Sequence, residues 1–506
     1  MASDPLTAPS APSPATGRPR PSPAAPGDRR DLVLLGAVPA VYAAVQLVLA
    51  VPGTGLAWDE TVYVSQVARD APAAFFSAPR ARGISWLVAP VAALTPSVPA
   101  LRIYLALLSS GALLLSLLVW RRLLPTPVIA LAGALFAGLW TTLSYGPQAM
   151  PNLWVAFGAL IGVGCFLRAA SDGGDRRALA GLGAGIALVA VMRPGDAIWL
   201  ALPLVCAAVA VPHWRRPVLP VVIAAGAVVG CAPWAVEARL HHGGLLARLH
   251  RAGEIQGGLG WNPAFADHLR ALGGRTLCRP CDVSLEQPVA VLWWLALPLL
   301  TAGGLVHAYR ARRLRTLLVP TAAGLSVAAP YLLLVGYAAP RFLLPSYALL
   351  SLPVALCLTR LYAGTRARPL ARTALCLVLV AHLALQLAIT AAVAARSRAT
   401  DAAFTAVAAD LRAQGLVPPC LVGGEEAVRV AFRAGCASRQ VYGGHDGSIT
   451  AAGFADLART RPTAVLVADD APPPPWAGGW HARPLPPLPE LRGLRAYLAP
   501  SVRPAP

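Results

Sequence analysis

Lysine is absent from this chain of 506 residues, so all 43 basic side chains are arginine. Any cationic grip on a phosphate must therefore come from Arg, unless a His takes the task. Charge of either sign is scarce as well, at 13% of residues, against 56% hydrophobic and a mean hydropathy of +0.59. A soluble domain needs roughly 25% charged residues to cover its surface, and a soluble reading is thereby excluded. Also lacking are an internal repeat and a complete Gly-x-Gly-x-x-Gly loop. Without that loop, the Gly423-Gly424 turn is not assigned to a nucleotide.

What the chain does have is apolar blocks of the length that crosses a hydrocarbon core, roughly 17 to 25 residues each. Eleven are predicted as helical spans, at 32–51, 100–119, 127–145, 152–168, 178–193, 196–212, 218–236, 288–307, 317–338, 342–359 and 372–394. The short loops on one side carry fifteen Arg: 121 and 122; 168, 176 and 177; 215 and 216; 310, 312, 313 and 315; and 360, 366, 368 and 372. The alternate short loops hold only Arg193 and Arg341. By the positive-inside rule the Arg-rich side is cytoplasmic, which accounts for the net charge of +20 without nucleic acid. The N-terminus is then inside, and everything after the last span is outside the cytoplasm.

Three regions complete the predicted layout of a plasma-membrane protein. Residues 1–31 form a Pro/Ala/Ser-rich cytoplasmic tail, expected to be disordered. Arg29 and Arg30 imitate a secretion signal, but the apolar run of about 20 residues is long for a signal core, so an uncut first span is expected. Residues 32–395 form an all-α polytopic bundle with long external loops at 52–99 and 237–287. Gly83–Leu94 is too short to cross and reads as interfacial. Residues 396–506 read as a small extracytoplasmic α/β domain, with helices near 401–414 and 425–434 and strands at 420–422 and 464–468. Cys278, Cys281, Cys420 and Cys436 all fall on the oxidising side, where a bridge Cys420–Cys436 is expected and Cys278–Cys281 is read as a local bridge, with half of a zinc site as the lesser alternative. His241, His242, His250 and His268 lie in the long loop without a familiar ligand spacing, so no metal site is assigned.

The chemistry is sought at the external ends of the spans. Ala57-Trp58-Asp59-Glu60-Thr61-Val62-Tyr63 puts two adjacent carboxylates about eight residues beyond the first span. They would be costly in hydrocarbon and belong at the interface, where Asp59 and Glu60 also suit the start of a helix. On the same side follow Arg82-Gly83-Ile84-Ser85-Trp86-Leu87, Arg193-Pro194-Gly195-Asp196 and Arg341-Phe342-Leu343-Leu344-Pro345. In this order the motifs resemble those of the GT-C superfamily of polytopic glycosyltransferases, especially its protein-mannosyltransferase-like and aminoarabinose-transferase-like members, over about residues 32–395. One departure stands out. Family members often carry an acidic residue in the second external loop, where this chain has Met150-Pro151-Asn152.

The resemblance implies a transferase that takes a sugar from a polyprenyl-phosphate carrier and passes it, with inversion, to a glycan, lipid or protein acceptor hydroxyl. It implies Asp59 as general base with Glu60 in support, and Arg82, Arg193 and Arg341 on the donor phosphate. Tyr63, Asn152, His241 and His242 are candidate substrate contacts. No cofactor is required; since Asn152 cannot replace a carboxylate, a divalent metal is kept only as a lesser alternative. A transporter or flippase of lipid-linked sugars, or a non-catalytic membrane scaffold, are the competing readings. A transporter should show repeats and mid-membrane charge.

Overall fold

The computed structural model describes residues 29–502 except 259, 280, 282, 283, 286, 442–446 and 490. Residues 1–28 of the expected tail lie outside the described residues, and Arg29–Asp31 begin the first helix instead.

Among the described residues, eight helices are long and apolar enough to cross a membrane: Arg29–Ala50, Val98–Trp120, Pro151–Ser171, Val218–His241, Pro288–Arg310, Leu314–Leu333, Pro340–Gly364 and Pro369–Ala413. Each overlaps a predicted span. The protein is a polytopic membrane protein. The three remaining predicted spans appear as shorter elements. Arg176–Met192 and Pro194–Ala210 have 17 residues each. The 127–145 segment is broken into Thr126–Ala137 and Trp140–Tyr145. The break is stabilised from a distance: Gln386, wholly buried in the last span, accepts a hydrogen bond from the Trp140 backbone N at 2.9 Å. In hydrocarbon an orphaned helix-end N–H has no water to turn to, so this side chain supplies what the broken turn lost. Gly83–Ala92 is a ten-residue helix, too short to cross, as its length predicts.

Burial sorts the bundle into a centre and a rim. In the most apolar windows of Pro151–Ser171 and Pro340–Gly364, 89% of residues are buried, against 28% for Val218–His241, whose Val221, Val228 and Val229 face outward as lipid-contacting side chains must. Small residues let neighbouring helices approach closely. A Cβ on Gly185 would meet the Gly158 carbonyl oxygen at 2.8 Å, so a larger residue there would pry the Pro151–Ser171 and Arg176–Met192 helices apart.

Residues 414–502 carry a five-stranded sheet: β1 Leu421–Gly424, β2 Ala437–Ser438, β3 Thr463–Val467, β4 His481–Pro484 and β5 Arg495–Leu498, in the order β2-β1-β3-β5-β4. The first three are parallel; β5 runs antiparallel to β3 and β4. Both expected disulfides, Cys278–Cys281 and Cys420–Cys436, are formed. One boundary is corrected. The last span and the expected helix near 401–414 are a single helix, Pro369–Ala413, of 45 residues.

This sheet region is seated on the segment that follows the first span. Its helix Ala427–Ala434 packs on Trp58–Ser65, with Val428 buried among Val62, Ala74, Trp58 and Phe76. Asp401, paired with Arg433, lies so close to Gly55 that an added Cβ would meet its carboxylate oxygen at 1.9 Å. Gly55→Ala is therefore expected to lower the thermal midpoint and expose the 401–433 contact to proteolysis. An unchanged midpoint and cleavage pattern would remove the contact from any role in seating the domain.

Candidate active site

Two adjacent acids on one helix meet different fates because successive helical residues project about 100° apart. Glu60 turns inward. Its side chain is 1% exposed and forms a two-pronged pair with Arg102, itself 2% exposed. Glu60 also accepts from the backbone N of Ala57 at 3.0 Å, closing the first turn of Trp58–Ser65, and from that of Ala149 at 2.7 Å. Arg102 reaches on to the Pro147 carbonyl at 2.8 Å. This knot fastens the Trp58–Ser65 helix, the loop before Pro151 and the Val98–Trp120 helix together. Glu60 has no face left for a substrate.

Asp59 turns the other way and stays 31% exposed. Arg80 Nη2 donates to its Oδ1 at 2.7 Å and Arg341 Nη2 to its Oδ2 at 3.1 Å, from side chains only 6% and 12% exposed. Arg341 sits in the short turn Pro340–Leu343 and also donates to the Thr276 carbonyl at 3.1 Å. That carbonyl is positioned by the neighbouring Cys278–Ala338 bridge, where paired backbone bonds join the long loop to the strand-like connection before Arg341.

Arg193 completes the group. Its Nε lies 3.1 Å from Asp196 Oδ2, its Nη2 donates to the Tyr331 hydroxyl at 2.8 Å, and that hydroxyl in turn donates to Asp196. The guanidinium carbons of Arg193 and Arg341 stand 5.4 and 5.3 Å from the same Phe342 ring. Arg80 lies 5.1 Å from the Tyr63 ring and 5.2 Å from Trp58. Three guanidiniums thus gather around two carboxylates, Asp59 and Asp196, leaving one positive charge in excess. Such a cluster, with forked donors held by packing, is suited to an oxyanion.

The structure therefore brings together Asp59, Tyr63, Arg193 and Arg341 from the residues singled out in the sequence. Arg82 is elsewhere: it pairs with Glu237, donates to Gln66 Oε1 at 2.8 Å and stacks on Phe76 at 4.0 Å, in a pocket shared with His241 and His242. Asn152 is 1% exposed at the start of Pro151–Ser171, and among the described residues its amide atoms have no hydrogen-bond partner. Among the described residues, no three His, Cys, Asp or Glu side chains stand together as a metal site needs.

Arg80, Tyr331, Glu237 and Arg102 were missed by sequence reasoning. Arg102 carried the clearest signal, as a charge inside an otherwise apolar helix. Arg80 had none beyond its place two residues before the motif beginning at Arg82.

His268 supports the site from outside. It is 1% exposed on Phe265–Ala271, and its Nε2 donates to the Tyr331 carbonyl at 3.2 Å. Burial pushes its imidazole down to about 4, with the Tyr331 carbonyl and Asp267 only partly opposing. The unfolded chain binds this proton near 6.5 and the folded one does not, so the stabilisation is complete above about pH 6.5 and is lost as pH falls toward 4. The full effect is about 3 kcal/mol. Between pH 7 and 4.5 the thermal midpoint of the wild type is expected to fall further than that of His268→Gln; parallel curves would refute it.

No protein-family model matches the sequence, and no curated protein matches it. Solved structures do match its fold. The crystal structure of ArnT from Cupriavidus metallidurans bound to undecaprenyl phosphate aligns with a TM-score of 0.67 at 15% identity, over 94% of this chain and 100% of that one. The apo state of the same protein gives 0.61 at 15% identity, over 94% and 99%. The apo oligosaccharyltransferase of Archaeoglobus fulgidus gives 0.53 at 13% identity, over 86% and 69%. The chain shares the fold of these proteins, a polytopic helical bundle with a small C-terminal sheet region.

Proposed function

We propose that the protein is a membrane glycosyltransferase that moves a sugar from a polyprenyl-phosphate carrier to an acceptor hydroxyl on the extracytoplasmic face. The observation that carries this reading is the partly exposed carboxylate of Asp59, held between Arg80 and Arg341, with Arg193 against the same Phe342 ring as Arg341. The GT-C fold, shared with a protein crystallised on undecaprenyl phosphate, supports a carrier of that class.

A glycosyl phosphate already has an anionic leaving group, so a second carboxylate acting as general acid is dispensable. The acceptor hydroxyl attacks the anomeric carbon opposite the phosphate, its oxygen forming the new C–O bond as its proton passes to Asp59. The bond from the anomeric carbon to the phosphate oxygen breaks, and its electron pair leaves with the carrier, which goes from one negative charge to two. The configuration inverts. Arg341 and Arg193, with Arg80 beside them, face that growing charge; once Asp59 holds the proton, the cluster has two positive charges in excess instead of one. Arg82 and Glu60, both held by other partners, have no part in this step.

The test is consumption of donor from a panel of polyprenyl-phosphate sugars by the purified protein, followed as released polyprenyl phosphate. Turnover with at least one carrier is expected. Arg341→Lys, which keeps the charge but loses the fork, should lower kcat by roughly tenfold or more. If no carrier is consumed while lipid-linked sugar crosses the bilayer of proteoliposomes, the transport reading replaces this one.

A further inference from the structure

Beside the Asp59 cluster lies a cavity of about 340 Å³ lined by Phe75, Phe76, Arg82, Glu237, His241 and His242. That size falls in the range of small-ligand sites, roughly 300–1,000 Å³, which combine apolar walls with a few fixed polar groups. The polar groups here are held with care. Arg82 is clamped by Glu237 and Gln66 over the Phe76 face. Glu237 is held from behind by Arg248, which is 0% exposed, lies 3.3 Å from Glu237 Oε2 and donates to the carbonyls of Ala78, Arg80 and Trp234. A buried arginine on three carbonyls and one carboxylate makes a rigid wall, not a solvated surface pair.

The polar edges of the lining are largely taken: Glu237 occupies Nε of Arg82 and Gln66 its Nη1. What fits aromatic walls beside an arginine–glutamate–arginine cluster and two imidazoles is a ring with an apolar face and a rim of hydroxyls. Phe76 is also the link to the reaction: it meets Tyr63 edge-on at 6.0 Å, and Tyr63 lies beneath Arg80, which holds Asp59.

We infer that this cavity is the acceptor subsite and that it binds a saccharide ring, with Phe75 against its apolar face and Glu237, Arg82, His241 and His242 around its hydroxyls. The inference rests on the glycosyltransferase reading for the word acceptor; the saccharide site itself stands on the lining. Arg82 thus leaves the donor phosphate and serves acceptor selection.

The test uses the full-length protein in lipid nanodiscs, with alkyl glycosides as acceptor probes. Phe75→Ala and, as a milder change, His242→Gln are expected to raise the KM for the glycoside about tenfold, with the donor KM moving by less than about twofold. A raised donor KM, or an unchanged glycoside KM in both variants, overturns the subsite while leaving the transferase reading intact. A second arm needs no turnover: an octyl glycoside bearing a diazirine is cross-linked to the wild type and the labelled peptides are mapped. Labelling of 75–82 or 237–242, competed by unlabelled glycoside, supports the site even if no donor is consumed. Labelling confined to other segments overturns it.

Discussion

Asp59→Asn is expected to reduce kcat for sugar transfer by at least about a thousandfold, in the range that removal of a general base produces. The amide matches the carboxylate in size and still offers one oxygen to Arg80 or Arg341, so the cluster should assemble. What it loses is the ability to take the acceptor proton. The loss should appear in kcat with a much smaller change in donor KM, because Arg193 and Arg341 still face the phosphate. Release of polyprenyl phosphate, with thermal unfolding as a control for folding, measures both. A variant that keeps a third of wild-type kcat would remove Asp59 as the base. The chemistry would then have to run on substrate assistance within the same arginine cluster.

The largest expected effect on stability belongs to the neighbouring pair. Arg102→Leu leaves Glu60 at 1% exposure with two backbone N–H donors and no counter-charge. Breaking one side of a buried ion pair costs about 3–5 kcal/mol, because the remaining charge is stranded away from water. The variant should lose much of its thermal midpoint in detergent, and activity should fall with it, since the same knot sets the angle of the helix carrying Asp59. Replacing both residues, as Glu60→Leu with Arg102→Leu, should recover part of the midpoint. It should recover less of the activity, because the Ala57 and Ala149 N–H groups are then unfastened. A single variant as stable as wild type would show that water or the bilayer interface reaches Glu60 in the folded protein.

The membrane part was legible because hydrocarbon enforces length and polarity residue by residue. Every one of the eight long helices among the described residues overlaps a run readable by hydropathy alone. The broken 126–145 segment was not readable that way, since the group that caps it, Gln386, lies 246 residues further on. The same reason governs the site. Asp59, Arg193 and Arg341 could be nominated as polar residues at the external ends of spans, and the fold brings them together. That Arg80 and not Arg82 would meet Asp59, or that Tyr331 would join Arg193 to Asp196, depends on pairings 21 and 135 residues apart that leave no local pattern. Glu60 illustrates the converse. Its adjacency to Asp59 suggests a shared task, yet one step along a helix turned it into the core.

The end of the last helix was misplaced for an instructive reason. Arg396, Arg398 and Asp401 end the apolar run, and hydropathy reads that as the end of an element. A helix satisfies its backbone hydrogen bonds within the chain on either side of the interface, and here it continues. A straight helix of 45 residues is about 68 Å long. It is a shaft anchored in lipid at one end and in a folded aqueous domain at the other, with no joint between. The domain at its tip rests on the Asp59 helix, so a tilt of the shaft within the bilayer, imposed by lipid thickness or by a neighbouring protein, is carried upward as a lever carries it.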